Sequence, residues 1–110
     1  MRLPNADAAK LDREKLTGYL LSWTHPIGRW KAKFFRSLGF SESNIAVLEQ
    51  ALREITRTEE VAAVAPTPHG VKYIIDGLLT TPLGSRVRVR TIWIVDAGED
   101  YPRFVTAYPI

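Results

Sequence analysis

The segment from His25 to Lys33 concentrates side chains that could act on a phosphate. Its nine residues, His25-Pro26-Ile27-Gly28-Arg29-Trp30-Lys31-Ala32-Lys33, include one histidine, one arginine and two lysines. The unperturbed pKa of histidine lies near neutrality, so His25 can give or take a proton at physiological pH. A lysine ammonium such as that of Lys31 can stabilise negative charge developing in a transition state. These residue types suit cleavage of a phosphodiester bond.

Helical periodicity singles out Lys31 within this segment. At about 100° per residue, one side of a helix is apolar and carries Ile27, Trp30, Phe34 and Leu38. The opposite side is basic and carries Arg29, Lys33 and Arg36. Lys31 projects among the aromatic residues, where a charge is costly unless it is paired or reaches water along the aromatic surface. We expect the Trp30 side of the helix to face the core.

A second basic group recurs along one predicted strand. With a period of two, one side of this strand carries Val87, Val89, Thr91, Trp93 and Val95. The other side carries Arg86, Arg88, Arg90, Ile92 and Ile94. If helices cover the valine and tryptophan side, the arginines form a row on an open sheet face that could bind phosphate. The alternative is a solvated strand whose arginines discourage aggregation.

These patterns nominate two sets of candidate site residues. The predicted catalytic residues are His25, Lys31, Arg90 and Tyr108. The predicted substrate-binding residues are Arg29, Arg88, Arg103 and Thr106. His25 would be the general base or acid, and Lys31 and Arg90 would stabilise the phosphorane. Tyr108 or Thr106 would orient the phosphate, although either residue could instead fill the sheet.

Other catalytic templates are absent from the sequence. There is no G-x-S-x-G nucleophile elbow, and the glycines form neither a Walker nor a Rossmann motif. Two histidines, no cysteine and scattered acidic residues offer no set of metal ligands. We therefore predict neither a metal nor another cofactor. Histidine, lysine and arginine suffice for RNA cleavage, because the 2′-hydroxyl of RNA is an internal nucleophile. An aromatic residue such as Tyr101 could stack on an unpaired base.

Length and charge are those of one small basic domain. The 110 residues allow one core, and the formal net charge is +3. Residues 1–40 contain eight Lys/Arg and three Asp/Glu, whereas residues 41–60 contain two and five. A basic N-terminal part suits a polyanion such as RNA, although surface cations also serve solubility alone. Without a run of about 18 apolar residues or a secretion signal, we expect a cytoplasmic protein that does not bind membranes.

Helices are expected before residue 60. The first is capped by Asp12, ends at Pro26 and buries a stripe formed by Leu16, Tyr19, Leu20 and Trp23. The second covers about residues 28–38 and stops at Gly39. The third is capped by Ser41 or Ser43 and buries Ile45, Leu48, Leu52 and Ile55.

Strands are expected in the remainder of the chain. They cover Val71–Leu79, Arg86–Val95 and Arg103–Tyr108, whereas residues 66–70 form a loop. Residues 61–64 either prolong the third helix or form a short edge strand. Helices followed by strands predict an α+β fold, with about three N-terminal helices on one face of a three- to four-stranded antiparallel sheet. The chain would be a single domain of residues 1–110, with a helical part at about 8–58 and a sheet part at about 70–108.

Several motifs resemble a family of small bacterial domains of unknown function. The first is His25-Pro26-x-Gly28-Arg29-x-Lys31-Ala32-x-x-Phe35, which is followed by Leu38-Gly39-Phe40. The others are Leu3-Pro4-Asn5-Ala6, Arg90-Thr91-x-Trp93 and Pro102-Arg103-x-Val105-Thr106-Ala107-Tyr108. The resemblance covers nearly the whole chain. The element order and the basic motifs also look like the barnase/EndoU/colicin/RelE superfamily of RNase toxins.

The resemblance to RNase toxins implies both a site and a partner. Members of that superfamily use histidine, lysine, arginine, threonine and tyrosine residues on an open sheet face. This would correspond to His25, Lys31, Arg90, Thr106 and Tyr108 of the present chain. Such domains are often encoded beside a small neutralising protein. Because fold does not determine function, the resemblance alone leaves the activity as an expectation.

Three hypotheses follow from the sequence. The leading one is a metal-independent ribonuclease of bacterial toxin type, acting on RNA as a monomer or homodimer. The second is a non-catalytic interaction module, in which Lys31 and Arg90 meet acidic residues of a small cognate protein. The third is structural: Lys31 and Arg90 pair with Asp76 or a C-terminal carboxylate and serve only folding. For His25 alone, the alternative to catalysis is a bond to exposed carbonyls at a helix end.

Overall fold

Helices precede strands throughout the chain, and the computed structural model describes residues 1–26 and 29–110. The helical elements are a 3₁₀ turn at Ala6–Ala8, α1 at Arg13–Lys15, a π-helical turn at Leu16–Leu20, α2 at Arg29–Ser37, a 3₁₀ turn at Glu42–Asn44 and α3 at Ile45–Thr58. The strands are β1 at Ala63–Thr67, β2 at Gly70–Thr80, β3 at Arg86–Asp96 and β4 at Pro102–Pro109. Within these ranges, no helix has the length and apolar character needed to span a membrane. The α+β prediction is confirmed.

The sheet is a meander in which each strand pairs with the next. Within the described residues its four strands lie in the order β1-β2-β3-β4, and all pairs are antiparallel. β2 and β3 pair along their full lengths. A slip of one residue would turn Val89 and Trp93 away from the core, so the alternating pattern determines the register. An irregularity between Ile92 and Trp93 shifts the pairing of β3 with β4.

The segment before β2 is more regular than the predicted loop. Residues 61–64 take the edge-strand alternative, because β1 begins at Ala63 and includes Pro66. An edge strand tolerates a proline, which lacks a backbone donor. Gly70 has φ of 150°, and a Cβ there would lie 2.3 Å from the Val95 carbonyl oxygen, so the hairpin requires glycine. The sheet therefore starts at Ala63 rather than near residue 70.

The helices cover the predicted face of the sheet. Val89, Thr91 and Trp93 are fully buried beneath them. The rest of the core comes from the helices and the neighbouring strands and includes Leu16, Leu20, Phe35, Leu48, Leu52, Ile55, Ile75, Leu79, Phe104 and Ala107. The buried Thr91 hydroxyl donates to the Ile75 carbonyl at 2.8 Å and accepts from Trp93 Nε1 at 3.0 Å. The arginine row consequently lies on the opposite, open face.

The first predicted helix is shorter and less regular than its pattern indicated. After α1 the chain forms the π-helical turn, in which the Leu21 N–H donates to the Leu16 carbonyl at 2.8 Å. Arg36 Nε donates to the Leu21 carbonyl at 2.8 Å and closes this end. Leu16 and Leu20 are buried as predicted, but Trp23 lies beyond the helix and is 56% exposed. Its assignment to the buried stripe is wrong, because the helix ends before the stripe reaches it.

Helix α2 matches its predicted apolar stripe only in part. Ala32 and Phe35 are fully buried, whereas Trp30 is 71% exposed. The prediction that Trp30 faces the core is therefore wrong, whereas Phe34 and Leu38 of the same predicted stripe are partly buried and pack against the core. The predicted start at Gly28 and the apolar Ile27 lie outside the described residues. The helix ends before Gly39, as predicted, where φ is 99°.

Strand β4 is held along both of its edges. On one side it pairs with β3. On the other side the Lys10 N–H donates to the Pro102 carbonyl at 2.8 Å, and the Phe104 N–H donates to the Lys10 carbonyl at 2.9 Å. Arg53 Nη1 in turn donates to the Ala9 carbonyl at 2.8 Å and ties this segment to α3. The strand that carries Thr106 and Tyr108 is therefore firmly placed.

Candidate functional site

Lys31 lies where α2, the π-helical turn and β4 meet. Its Nζ donates to Tyr19 Oη at 2.7 Å and to Thr106 Oγ1 at 3.0 Å. The same nitrogen lies 5.1 Å from the centre of the Tyr19 ring and 5.7 Å from that of Tyr108. Both distances are within the range of cation–π attraction. An ammonium has three N–H donors, and the two hydroxyls engage two of them.

Tyr19 is the functional candidate that sequence reasoning missed. Its Oη lies 3.1 Å from Thr106 Oγ1 and accepts from Lys31. Burial alone would raise the pKa of Tyr19, but the hydrogen bonds of Lys31 and Thr106 and the charges of Lys31 and Lys15 together lower it below its usual value. The sequence pattern placed Tyr19 in an apolar stripe. A tyrosine among leucines was the available signal, because a buried phenol usually finds a polar partner.

His25 joins the cluster through Tyr19. The two rings meet edge to face with centroids 4.9 Å apart. The backbone N–H of His25 donates to Ser22 Oγ at 3.2 Å, which shapes the turn that presents the imidazole. His25, Lys31, Thr106 and Tyr108 thus converge around Tyr19; we call these five residues the Lys31 cluster. The catalytic and binding roles assigned to them stay predictions.

A cleft of about 650 Å³ borders the cluster. Its lining residues include Tyr19, His25 and Thr106 together with Lys15 and Asp12. This volume is within the range of small-molecule sites. Among residues 1–26 and 29–110, no group of three or more histidine, aspartate or glutamate side chains is placed to hold a metal ion.

Arg90 is engaged by a carboxylate. Its Nε donates to Asp76 Oδ1 at 2.8 Å and its Nη2 to Asp76 Oδ2 at 2.9 Å, which is a bidentate fork. These hydrogen bonds hold the pKa of Asp76 below its usual value, although burial opposes them. Tyr108 is the cross-strand neighbour of Arg90 on β4. Arg90 therefore makes the ion pair of the structural hypothesis, in a position to orient Tyr108.

The other predicted arginines lie outside the Lys31 cluster. Arg29 is exposed on α2, and Arg88 is exposed on the open sheet face. Arg103 forms its own fork with Asp96, with Nε 2.6 Å from Oδ2. Tyr101 lies beside Arg103, at the other end of β4 from the cluster. Any contact of these residues with substrate requires an extended ligand.

Phenol titration should reveal the lowered pKa of Tyr19. Of the four tyrosines, Tyr19 is expected to ionise below its ordinary pKa of 10.0, because the Lys31 ammonium stabilises the phenolate. Lys31→Met should move this titration upward, and Tyr19→Phe should remove it. The ultraviolet absorbance of tyrosinate against pH measures both effects. Tyr108→Phe is the control and should keep the early titration; identical curves for wild type and Lys31→Met would contradict the assignment.

Asp76→Asn should destabilise the protein in a pH-dependent way. At neutral pH we expect a loss of about 1 kcal/mol in the free energy of unfolding, reduced from the usual buried value by solvent screening. Arg90 is 37% exposed, which is why screening matters. The pKa of Asp76 is lower in the folded than in the unfolded state, so its contribution is present above about pH 4 and is lost as the pH falls through the folded pKa. Urea unfolding over this pH range measures the difference, with Asp100→Asn as control. A difference that does not narrow on acidification would argue against the ion pair.

Residues 2–110 match the family described as Domain of unknown function (DUF6883). The chain belongs to this family. A solved chain of a contact-dependent growth inhibition toxin–immunity protein complex from Klebsiella pneumoniae 342 has a similar fold, with a TM-score of 0.72 and 18% sequence identity. The superposition covers 94% of this chain and 95% of that chain. No curated protein sequence matches significantly.

Proposed function

We propose that the chain is a metal-independent ribonuclease of bacterial toxin type. The observation that carries the proposal is the contact of Lys31 Nζ with the Tyr19 and Thr106 hydroxyls, beside the imidazole of His25. A cation in contact with two hydroxyls, with a proton-transfer group beside them, supplies the groups that phosphodiester cleavage needs. The family motifs that resemble RNase toxins support it. So does the toxin–immunity complex that contains the structural neighbour.

The chemistry uses a nucleophile within the RNA itself. The 2′-oxygen bonds to phosphorus, the 5′-oxygen leaves, and the products are a 2′,3′-cyclic phosphate and a 5′-hydroxyl. One group must take the proton of the 2′-hydroxyl, and another must protonate the leaving oxygen. His25 and Tyr19 touch each other at the cleft and are the candidates for these transfers. The lowered pKa of Tyr19 favours its use as a base.

The other residues of the Lys31 cluster stabilise the charge of the phosphorane and hold the reacting groups in position. Lys31 stabilises the negative charge of the phosphorane, because its ammonium contacts Tyr19 and Thr106, two residues that line the cleft. Thr106 holds the Lys31 ammonium by a hydrogen bond, and Tyr108 lies under the same ammonium. Arg90, paired with Asp76, keeps Tyr108 in place as a positioning residue. Arg29 and Arg88 would contact the strand beyond the cleaved bond.

Cleavage of RNA in EDTA tests the proposal. The purified protein, incubated with total RNA and EDTA, should produce fragments that end in 2′,3′-cyclic phosphate. An RNA oligonucleotide with 2′-O-methyl sugars is the matched control and should stay intact, because it lacks the nucleophile. Intact RNA under these conditions, together with normal growth of cells that express the chain, would refute the ribonuclease.

The structural neighbour favours a second candidate, the binding of a small cognate protein. That neighbour belongs to a toxin–immunity complex. On this chain the exposed Arg86 and Arg88 of the open sheet face would pair with acidic residues of such a partner. Co-purification with an acidic protein encoded next to the chain tests this. If that protein binds and the chain alone leaves RNA intact, the chain is an interaction module rather than a ribonuclease.

A further inference from the structure

Two exposed tryptophans lie within or just before the segment that carries His25 and Lys31. Trp23 is 56% and Trp30 71% exposed, whereas Trp93 is fully buried. Trp23 precedes His25 by two residues, and Trp30 directly precedes Lys31. Burying an indole in the core contributes strongly to stability, so two indoles left in water close in sequence to His25 and Lys31 point to a ligand.

A guanidinium accompanies each of the two indoles. Arg36 Cζ lies 5.4 Å from the Trp23 ring, and Arg29 Cζ lies 5.5 Å from the Trp30 ring. The Arg36 guanidinium is itself fixed, because it donates to the Leu21 carbonyl and pairs with the Glu42 carboxylate. Trp23 is therefore placed against a rigid cation. An aromatic ring with an arginine beside it is the arrangement on which nucleic-acid bases stack.

The charge of the surrounding segment selects the ligand class. From Lys15 to Ser41 the sequence contains five Lys/Arg and no Asp or Glu. Bases and phosphates alternate along a nucleic-acid strand, so one ligand can satisfy both the indoles and the cations. Bases in a duplex are stacked on each other and hidden from side chains, whereas those of a single strand are accessible.

We propose that Trp23 and Trp30 stack on unpaired bases of single-stranded RNA whose phosphate backbone runs past Lys31. The choice of RNA as the ligand rests on the proposed function. What is added here is that the RNA substrate is single-stranded rather than duplex. Stacking tolerates every base, because each has a π-face. Binding is therefore strand-selective and only weakly sequence-selective. It also weakens with salt, because phosphate contacts release counterions.

Binding of a non-cleavable strand tests the proposal on the full chain. The probe is a 2′-O-methyl RNA oligonucleotide, single-stranded or annealed to its complement. The single strand should quench the fluorescence of Trp23 and Trp30 in the wild-type protein. The buried Trp93 is shielded from the strand, so the quenching reports on the two exposed indoles. Anisotropy of a labelled single strand should show about tenfold to hundredfold weaker binding for Trp23→Ala and for Trp30→Ala. Trp30→Phe should retain most of the affinity.

Leu83→Ala is the matched control, because Leu83 is an exposed apolar side chain on the β2–β3 loop. It should bind as tightly as wild type.

Unchanged affinity of both tryptophan variants, or equal binding of duplex and single strand, would overturn the proposal. Because the probe cannot be cleaved, its binding is measured apart from cleavage. A failure of the stacking proposal can therefore be told from a failure of the ribonuclease proposal. Cleavage of RNA, with unchanged affinity in the tryptophan variants, would contradict only the stacking proposal. Strand-selective binding that needs the two tryptophans, without cleavage of RNA, would contradict only the ribonuclease proposal.

Discussion

Lys31→Ala is expected to lower the rate of RNA cleavage by about a hundredfold to a thousandfold, the effect typical of losing one preorganised donor to a developing charge. The loss has two parts. The variant removes the ammonium that faces the phosphorane, and it releases the hydroxyls of Tyr19 and Thr106, which Lys31 holds at 2.7 and 3.0 Å. The pKa of Tyr19 should rise as well, because its strongest stabilising partner is gone. Initial rates on a defined single-stranded RNA measure the effect.

Lys33→Ala is the matched control for this prediction. Lys33 is a lysine of the same helix, but its side chain is exposed to solvent. Its loss should change the rate only a few-fold, through the salt-dependent attraction of RNA. Thermal unfolding of both variants checks that the fold is kept. Equal losses in the two variants would mean that Lys31 acts only through general charge.

Phe35→Ala is expected to lower the free energy of unfolding by about 3–5 kcal/mol, the usual loss for a buried phenylalanine. Phe35 is fully buried and meets the ring of Phe40 with centroids 6.5 Å apart. It is the main anchor of α2, the helix that carries Lys31. Small domains have about 5–15 kcal/mol in total, so the variant will be near its unfolding threshold. Urea unfolding monitored by circular dichroism measures the change.

Trp30→Ala is the control that discriminates between the two sides of the same helix. Trp30 is largely exposed, so its removal should change the free energy of unfolding by about 0.5 kcal/mol or less. The sequence pattern alone predicts the opposite order, with Trp30 as the anchor. A larger loss for Trp30→Ala than for Phe35→Ala would favour the sequence-based assignment over the structure.

Helix α2 shows why periodicity identified the element but not which of its apolar residues is the buried anchor. Trp30 and Phe34 form one apolar stripe, and Ala32 and Phe35 form another. Both satisfy a helical repeat over so short a segment. Which residues are buried depends on the surface that packs against the helix, and that surface includes Phe40 and the π-helical turn at Leu16–Leu20. Local pattern holds no information about it.

The strands were more predictable than the helices. The alternation along Arg86–Asp96 identified both the strand and the side that faces the core. A strand has only two sides, and the apolar side must be the buried one, so a period of two is decisive. Trp23 shows the contrasting case, because it follows a helical repeat that continues past the actual end of the helix.

By itself the sequence determined the class of fold, the covered side of β3 and the residue types able to act on a phosphate. These are properties of composition and local alternation. Only the tertiary structure decided which of those residues meet. Lys31 contacts Tyr19 and Thr106, which lie 12 and 75 residues away along the chain. The tertiary structure also pairs Arg90 with the carboxylate of Asp76 and leaves the side chains of Trp23 and Trp30 exposed to solvent. Such contacts depend on how the elements pack, and no local pattern encodes them.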